Sequence, residues 1–334
     1  MRFRLPAYYF LILLGASVCV SFYLKKDGKA ESLVKSEVVT PDCAAKINRI
    51  RLTGFKFINP TILSEFENES EALMGIKNHV ISLINESYGS QKASNVSVYF
   101  RSLKDGSWFS VNGSQVYNPA SLAKVIYLIT YMKEASIYPE IMAKKIYFAK
   151  HFTEVNQQNI VTFRLKENQD YTVRDLLYFM MAYSDNDAAT LLIENVNQAV
   201  FQSVFQDLKV PAPPTTNGEY FIDVAEMSKF FRVIYNSHYL GPRWSEYALE
   251  LMTHCDYREG LMRGLEPGIS FAHKFGERVI GNTSQLHEFG IVYLNDNPYL
   301  IGVMSSGNDL RELSDILKEI SAMVYQEYSG KVRS

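Results

Sequence analysis

The chain of 334 residues is predicted to be an α+β protein, with one five-stranded antiparallel sheet, terminal helices beside it and an inserted all-helical lobe. Three observations predict this class. Strand-like stretches form two groups, at 95–111 and 269–306. Helix-like stretches precede the first group and follow the second. The residues between, 116–265, are mostly helical in pattern. Because the two ends share one sheet, we expect a cleft between sheet and lobe, where a site is naturally found.

The first elements are predicted by two different periodicities. EALMGIKNHVISLINESYG (71–89) carries apolar residues at helical spacing. They are Leu73, Ile76, Val80, Ile81 and Ile84. NVSVYF then alternates at Val96, Val98 and Phe100, KDG (104–106) provides a turn, and SWFSV returns. This pattern predicts a helix followed by a β-hairpin.

The C-terminal end mirrors this order. ISFAHKFG (269–276), LHEFGIVYL (286–294) and YLIGVMSS (299–306) are predicted strands, and NDNP turns the chain between the last two. A helical stripe then closes the chain. It comprises Leu310, Leu313, Ile316, Leu317, Ile320 and Met323.

The N-terminal segment is predicted to lie outside the fold. Arg2 and Arg4 precede an uncharged run, Ala7–Leu24, which Lys25 and Lys26 close. The run is just long enough to span a bilayer. We expect residues 1–26 to be a signal-anchor, or else a cleaved signal peptide. Either would place the bulk of the chain, exported, in the cell envelope, with membrane contact through this segment.

The remaining residues divide into two parts. Residues 27–69 are predicted to be a spacer and an N-terminal extension that lies on the main domain. Residues 70–330 are the main domain. Its α/β lobe takes 70–115 and 266–330, and its helical lobe takes 116–265. We expect this domain to be a monomer.

Composition excludes several classes of protein. The net charge of −2 gives no reason to expect a nucleic-acid partner. Cys19 lies in the apolar run, so only Cys43 and Cys255 could pair, and we expect both thiols to be free. His254, His273 and His287 are close in sequence, with Glu288 beside the last, but their spacing fits no zinc pattern. We therefore expect no metal and no cofactor.

The first chemical motif is in NPASLAKVIYLITYM (118–132). Ser121 and Lys124 stand three residues apart at the start of an apolar helical run. Positions i and i+3 share one helix face, so the amine can reach the hydroxyl. The pair is either an ordinary helix start, with serine as the N-cap, or an activated nucleophile.

The second motif is a polar break between two apolar helices. YTVRDLLYFMMAY (171–183) begins with a capping pattern, Thr172 and Asp175, and the next helix begins near Asp187. Ser184, Asp185 and Asn186 lie between them. Such residues are common in helix–helix loops, but a loop wedged between buried helices also directs polar side chains into a cleft.

The third motif is AHKFGE (272–277). Ser270, Ala272, Lys274 and Gly276 share one face of a predicted strand, and that face is mostly small. Small residues leave room for a backbone or a ligand to lie alongside. The alternative is a surface lysine on an edge strand.

Together the three motifs resemble those of the penicillin-recognising serine hydrolases. The likeness is closest to class A β-lactamases, whose set is S-x-x-K, S-D-N and K-T-G. It covers roughly residues 70–328, and YTVRDLLYFMMAYSDNDAATLLIE and RGLEPGISFAHKFG match the family's segments around the second and third motifs. The resemblance implies a β-lactamase/transpeptidase-like fold and a serine hydrolase.

The resemblance also implies a role for each motif residue. Ser121 is the nucleophile, and Lys124, with a pKa lowered by burial and by Lys274, accepts its proton. Ser184 relays a proton to the leaving nitrogen. Asn186 holds Lys124 and the substrate amide, and Lys274 and Gly276 belong to the substrate-binding strand. The backbone N–H groups of Ser121 and Glu277 form the oxyanion hole.

Two departures from the family pattern affect the expected chemistry. Phe275 replaces a threonine or serine whose hydroxyl helps bind the substrate carboxylate. The family's E-x-x-L-N loop, whose glutamate activates the deacylating water, has no good counterpart in VPAPPTTNGEYFIDVAEMSKFF (210–231). A helix already begins near Asp223, so the loop is short and Glu219 is a poor candidate base. We expect an acyl-enzyme that is released slowly.

The expected substrate is a β-lactam or a peptidoglycan-like peptide. One alternative is a D-alanyl-D-alanine carboxypeptidase or transpeptidase. The other is a catalytically poor module that binds wall peptides, since a fold does not fix a function.

Overall fold

The computed structural model describes the chain in separate stretches. Backbone alone is described at 37–39, 47–49 and 331–333, and backbone with side chains at 56–58, 68–152, 163–214 and 219–330. The apolar run Ala7–Leu24 and most of the predicted spacer lie outside these residues. Within them, no helix is both long and apolar enough to cross a membrane.

The described elements follow one another in a mixed order. The strands are β1 (Glu37–Val39), β2 (Ile47–Arg49), β3 (Asn95–Ser102), β4 (Trp108–Val111), β5 (Lys145–Phe148), β6 (Gln169–Thr172), β7 (Ser270–Ile280), β8 (Thr283–Tyr293) and β9 (Tyr299–Gly307). The α-helices are α1 (Met74–Gly89), α2 (Lys124–Ile137), α3 (Val173–Ala182), α4 (Asn186–Glu194), α5 (Gln198–Leu208), α6 (Val224–Asn236), α7 (Pro242–Thr253) and α8 (Leu310–Arg333).

The main sheet has five antiparallel strands in the order β4-β3-β9-β8-β7. Strands from the two ends of the domain meet where β3 pairs with β9, with Val98 opposite Val303. The predicted sheet, built from both ends of the folded region, is confirmed. Strand β7 lies at one edge, so its outer backbone edge is free to face another element.

Apolar side chains cover both faces of this sheet. Helices α1 and α8 pack on one face, against residues that include Phe100, Phe271 and Phe275. The helical lobe packs on the other, against residues that include Ala272, Phe289 and Met304. Each such buried phenylalanine or methionine side chain contributes roughly 1.5–3 kcal/mol to stability. The sheet is therefore a rigid middle layer between two groups of helices.

Helix α2 forms the centre of the helical lobe. It is buried on almost its whole circumference, as expected for a helix that is apolar all round. Its buried residues include Val125, Ile126, Leu128, Ile129, Tyr131 and Met132. Packing on all sides fixes the N-terminal end of this helix at Lys124, and with it the preceding turn that carries Ser121.

The helical lobe differs from the prediction in one detail. It contains a two-stranded sheet, in which β5 and β6 pair antiparallel. Ile146 and Phe148 are buried there while Tyr147 is exposed. Alternation over only four residues is too short to distinguish from a loop by pattern.

Part of the predicted N-terminal extension lies on the domain. The Glu246 carboxylate on α7 accepts hydrogen bonds from the backbone N–H groups of Lys56, Phe57 and Ile58, at 2.8–3.1 Å. Tyr293 donates its hydroxyl to the Phe57 carbonyl at 2.7 Å. Upstream, β1 and β2 pair antiparallel within the stretch predicted as spacer and extension.

Candidate active site

Ser121 lies in a tight turn that leads into α2. The Asn118 side chain accepts a hydrogen bond from the Ala120 N–H at 3.0 Å, and Ala120 has a left-handed backbone, with φ of 48°. Ser121 follows in a short 3-10 helix, Ala120–Ala123, and neither this turn nor α2 has a side-chain cap. Ser121 is therefore not an N-cap residue, and it remains partly exposed.

Lys124 is buried, with 6% of its surface exposed. Its Nζ donates hydrogen bonds to the Ser184 carbonyl, to Ser184 Oγ at 3.2 Å and to Asn186 Oδ1 at 2.6 Å. No hydrogen bond joins Nζ to Ser121 Oγ in this structure. Burial lowers the pKa of Lys124 well below its usual value, and the positive charge of Lys274 lowers it further. Such an amine releases its proton more readily than an ordinary lysine and can then act as a base.

Local signals at both helix ends position the Ser184–Asn186 turn. Thr172 and Asp175 form the predicted capping box at the start of α3. Asp185 caps α4, accepting the Ala188 N–H at 2.7 Å. Ser184 between them has φ of 53°, a left-handed conformation that costs energy for a residue with a Cβ. The turn places the side chains of Ser184 and Asn186 against Lys124.

Lys274 reaches the same place from the sheet. It lies on β7 and has no exposed surface, so the alternative of a surface lysine on an edge strand is wrong. Nζ donates to Ser184 Oγ at 2.8 Å and to the Phe275 carbonyl at 2.9 Å. Burial lowers the pKa of Lys274 to about 8, and acidic neighbours, Cys255 first among them, oppose this shift. Ser184 Oγ therefore accepts from two lysines at once.

Gly276 allows β7 to touch the Ser121 turn. A Cβ at this position would lie 2.7 Å from the Pro119 carbonyl oxygen and 3.0 Å from the Ser121 nitrogen. Only glycine permits this approach. Glu277, the next residue, is half-buried, and its backbone is beside the Ser121 turn because β7 is the edge strand.

Phe275 does not face the cleft. Its side chain is 2% exposed and belongs to the core between the sheet and the terminal helices. The ring stacks on Tyr257 with centroids 4.4 Å apart. Position 275 therefore offers a buried ring, over which the Lys274 Nζ lies 4.2 Å from the centroid, and it presents no hydroxyl to a substrate.

Glu219 lies at the surface. Its side chain is half exposed and forms an ion pair with Arg278 near the end of β7. Neighbouring residues 215–218 are outside the described part of the chain. Helix α6 begins at Val224 with Asp223 as its cap, as predicted, which leaves a short connection after α5.

The three histidines near the third motif have different partners. His254 ends α7 against the Tyr178 ring. His273 Nδ1 lies 2.7 Å from Glu288 Oε1. His287 Nε2 lies 3.0 Å from the Asn118 carbonyl. In the described stretches of the chain, no three acidic, histidine or cysteine side chains are grouped to hold a metal ion.

His287, considered in the sequence only as a possible metal ligand, is a positioning residue in the structure. Its Nδ1 accepts the Ser305 N–H at 3.2 Å, so the proton is on Nε2, which donates to Asn118. Burial lowers the pKa of His287 to about 4. A neutral imidazole therefore ties β8 and β9 to the turn that carries Ser121. His287 reaches this position because β8 pairs with strands that are distant in sequence. Such pairing leaves no signal in the local sequence.

Comparison with known proteins agrees with this geometry. A model of the beta-lactamase enzyme family matches residues 79–328. No curated protein matches the chain. Among solved structures, PBP-A is similar, with 23% identity and a TM-score of 0.64 over 77% of this chain and 97% of that one.

Two further solved structures show the same likeness. A PBP-A mutant solved as an acyl-enzyme complex with penicillin G has 23% identity and a TM-score of 0.62, over 77% of this chain and 97% of that one. A beta-lactamase from Sphaerobacter thermophilus has 15% identity and a TM-score of 0.64, over 75% of this chain and 97% of that one. At these identities the structural matches show a common fold.

Proposed function

Because this chain belongs to the beta-lactamase enzyme family, a family of serine hydrolases that act on amide bonds, we propose that it forms an acyl-enzyme on Ser121. One observation carries the proposal. Lys124, Ser184, Asn186 and Lys274 form a continuous hydrogen-bonded network beside the Ser121 turn. Such a network supplies a base and a proton path to a nucleophile.

The acylation step starts at Lys124. In its neutral form the amine accepts the Ser121 hydroxyl proton while Oγ attacks the amide carbonyl carbon. A rotation of the flexible lysine side chain, away from its present acceptors, brings Nζ to Oγ. The C–N bond then breaks, and the proton passes from Lys124 through Ser184 Oγ to the leaving nitrogen. The product is an ester on Ser121.

The developing oxyanion is stabilised by backbone donors. We assign this role to the N–H groups of Ser121 and Glu277, because Gly276 brings the edge of β7 against the Ser121 turn. Removing one such donor typically costs about 3–4 kcal/mol of transition-state stabilisation. Lys274 and Asn186 hold the substrate carboxylate and amide.

Release of the acyl group is proposed to be slow. Deacylation needs a water activated by a base near the ester. Glu219 is engaged with Arg278 at the surface, so it does not supply that base in this structure. A general base contributes about 10²–10⁴-fold to a rate, and hydrolysis of the ester is slowed accordingly.

The proposed substrate is a β-lactam or a peptidoglycan-like peptide, in the cell envelope. A D-alanyl-D-alanine carboxypeptidase or transpeptidase is the second candidate, and the surface position of Glu219, paired with Arg278 and not available as a deacylating base, favours it over an efficient β-lactamase. Residues 1–26 remain the proposed membrane anchor.

Covalent labelling tests the nucleophile. The full-length chain is incubated with a fluorescent penicillin and the labelled residue is mapped by mass spectrometry. Wild type and a control, Ser136→Ala near the end of α2, are expected to carry the label on Ser121, while Ser121→Ala carries none. Label on another residue, or label that persists in Ser121→Ala, would contradict the assignment. Lack of label in all three proteins would favour a non-covalent binding module.

A peptide assay separates the two substrate classes. The same proteins are incubated with a short peptide that ends in D-alanyl-D-alanine, and loss of the terminal residue is followed by mass. Turnover of this peptide with slow turnover of a chromogenic cephalosporin supports the carboxypeptidase. Rapid cephalosporin hydrolysis with an intact peptide supports a β-lactamase.

A further inference from the structure

Arg278 lies on the face of β7 that is turned toward the Ser121 turn. Strand β7 pairs with β8 in one continuous register along its whole length, so its side chains alternate between the two faces without interruption. A Cβ at Gly276 would lie 3.0 Å from the Ser121 nitrogen, which shows the direction of that face. Arg278 is two residues farther along, and its side chain therefore leaves the strand on the same face, about 7 Å beyond Gly276.

The connection before α6 meets Arg278 on this face. Glu219 Oε1 accepts a hydrogen bond from Nη2 of Arg278. Three residues on, Ile222 and Tyr117 exchange backbone hydrogen bonds at 2.9 and 3.0 Å. This pairing fastens the connection to the segment that leads into the Ser121 turn. The connection is therefore held at both ends beside the site, and the ion pair joins it to β7.

The proposed acylation step gives the substrate a direction along β7. The leaving nitrogen takes its proton from Ser184 Oγ, which lies 2.8 Å from Lys274 Nζ. The carbonyl oxygen lies at the backbone N–H groups of Ser121 and Glu277. The acyl side chain is on the opposite side of the carbonyl carbon from the leaving nitrogen. It therefore extends away from Lys274 and toward Arg278.

The guanidinium of Arg278 can bind a second carboxylate. Arginine has five N–H donors in a planar fork that matches a carboxylate, and Nη2 is the atom that donates to Glu219. The side chain of Arg278 is 27% exposed and that of Glu219 is 50% exposed. An ion pair this exposed contributes little to stability. An incoming anion can therefore share Arg278 with Glu219 or take its place.

We propose that Arg278 is a specificity-determining residue that binds an anionic group on the acyl side chain of the substrate. The preferred substrates then carry a carboxylate on that side chain. The proposal rests on the proposed function for the orientation of the substrate. Without substrate, Glu219 holds the guanidinium in place, and it competes with the substrate carboxylate. The bonds that form and break are those of the ester on Ser121, so Arg278 takes no part in the chemical step.

Three penicillins that differ at one position of the acyl side chain test this charge preference. Benzylpenicillin has no charge there, α-carboxybenzylpenicillin has a carboxylate and α-aminobenzylpenicillin has an ammonium group. The second-order rate constant of acylation is measured for each compound with full-length protein. In wild type we expect it to be about 5–10-fold higher for the carboxy compound than for benzylpenicillin, because charge-assisted hydrogen bonds to a guanidinium are strong. The amino compound should react more slowly than benzylpenicillin.

Substitutions in the ion pair assign the preference to Arg278. Arg278→Gln should remove the advantage of the carboxy compound. Glu219→Gln should increase that advantage, because the competing carboxylate is lost. Arg263→Gln removes another ion-paired arginine, in the 3-10 helix Leu261–Gly264, and should match wild type. Equal rates for the three compounds in wild type overturn the proposal, as does a preference that persists in Arg278→Gln or is lost in Glu219→Gln.

Equilibrium binding separates this proposal from the proposed function. If no protein is acylated by any of the three compounds, the proposed function fails. Binding of the same compounds to full-length wild type and to Arg278→Gln, measured by isothermal titration calorimetry, then decides the role of Arg278. Tighter binding of the carboxy compound to wild type, lost in Arg278→Gln, supports the role. Equal binding of the three compounds, or no detectable binding of any, overturns it.

Discussion

Lys124 is buried, donates hydrogen bonds to three oxygen atoms and lies near the positive charge of Lys274. Its amine donates to two oxygens of Ser184 and to Asn186, and Lys274 shares the Ser184 hydroxyl. Two ammonium groups so close together repel each other, so one of them gives up its proton readily. Because the two lysines titrate as a coupled pair, an acylation profile reports values that belong to the pair.

Lys124→Arg keeps a positive charge but removes the base. A guanidinium stays protonated and cannot accept the Ser121 proton. We expect the rate of acylation by a β-lactam to fall by about 10²–10⁴-fold, with circular dichroism unchanged. Lys133→Arg, on the same helix but paired with Asp207 at the surface, should acylate normally. Near-normal acylation of Lys124→Arg would assign the base to another group.

Phe275 is predicted to act through packing. Phe275→Thr restores the family's hydroxyl but removes a ring that stacks on Tyr257 in the core. We expect the free energy of unfolding to fall by about 3 kcal/mol or more, measured by urea denaturation. If stability falls by less than about 1 kcal/mol while acylation improves, position 275 faces the substrate instead.

At the level of elements, the geometry of the site depends on the contact between β7 and the Ser121 turn. Gly276→Ala would force the edge strand away from the backbone of Pro119 and Ser121. A misplacement of about 1 Å can cost about 10²-fold in rate, and we expect a loss of that size in acylation. Gly75→Ala on α1, where a Cβ meets open space, is the control. Acylation that is unaffected by Gly276→Ala would place the oxyanion donors elsewhere.

The hydrogen bond from His287 on β8 to the Asn118 carbonyl predicts that the stability of the fold decreases in acid. The pKa of His287 falls to about 4 in the fold, against about 6.5 when unfolded. Its contribution to stability is therefore complete above pH 6.5 and is lost as the pH falls toward 4. Between pH 7 and pH 5 we expect a loss of about 2 kcal/mol from this group.

His287→Gln keeps a donor for Asn118 and does not titrate. Urea midpoints measured at both pH values should show a smaller acid-dependent loss in this variant than in wild type. An equal loss in the two proteins would mean that His287 is not buried in its neutral form.

For the whole molecule, the parts that sequence could predict are those with local signals. The helix at Ser121 and Lys124, the capped break at Ser184 and the strand of Lys274 each follow from short-range patterns. The antiparallel sheet followed from where strand patterns lie along the chain. Each of these depends on periodicity or turn chemistry within about ten residues.

The parts that sequence missed depend on distant pairing. His287 supports the Ser121 turn only because β8 pairs with β9 and β7 in one register. The β5–β6 hairpin was missed because it has just four residues per strand, too few to establish a period.

The fate of the acyl group tests the whole proposal most directly. Full-length protein is mixed with a small excess of penicillin, and the adduct on Ser121 is followed by intact mass from formation to decay, in wild type and in Glu219→Gln. We expect the adduct to form faster than it decays and to accumulate to nearly one per chain. Because Glu219 is at the surface with Arg278, both proteins should decay at the same rate. If wild type instead consumes many equivalents without accumulating an adduct, and Glu219→Gln traps one, Glu219 is a deacylating base and slow release is wrong.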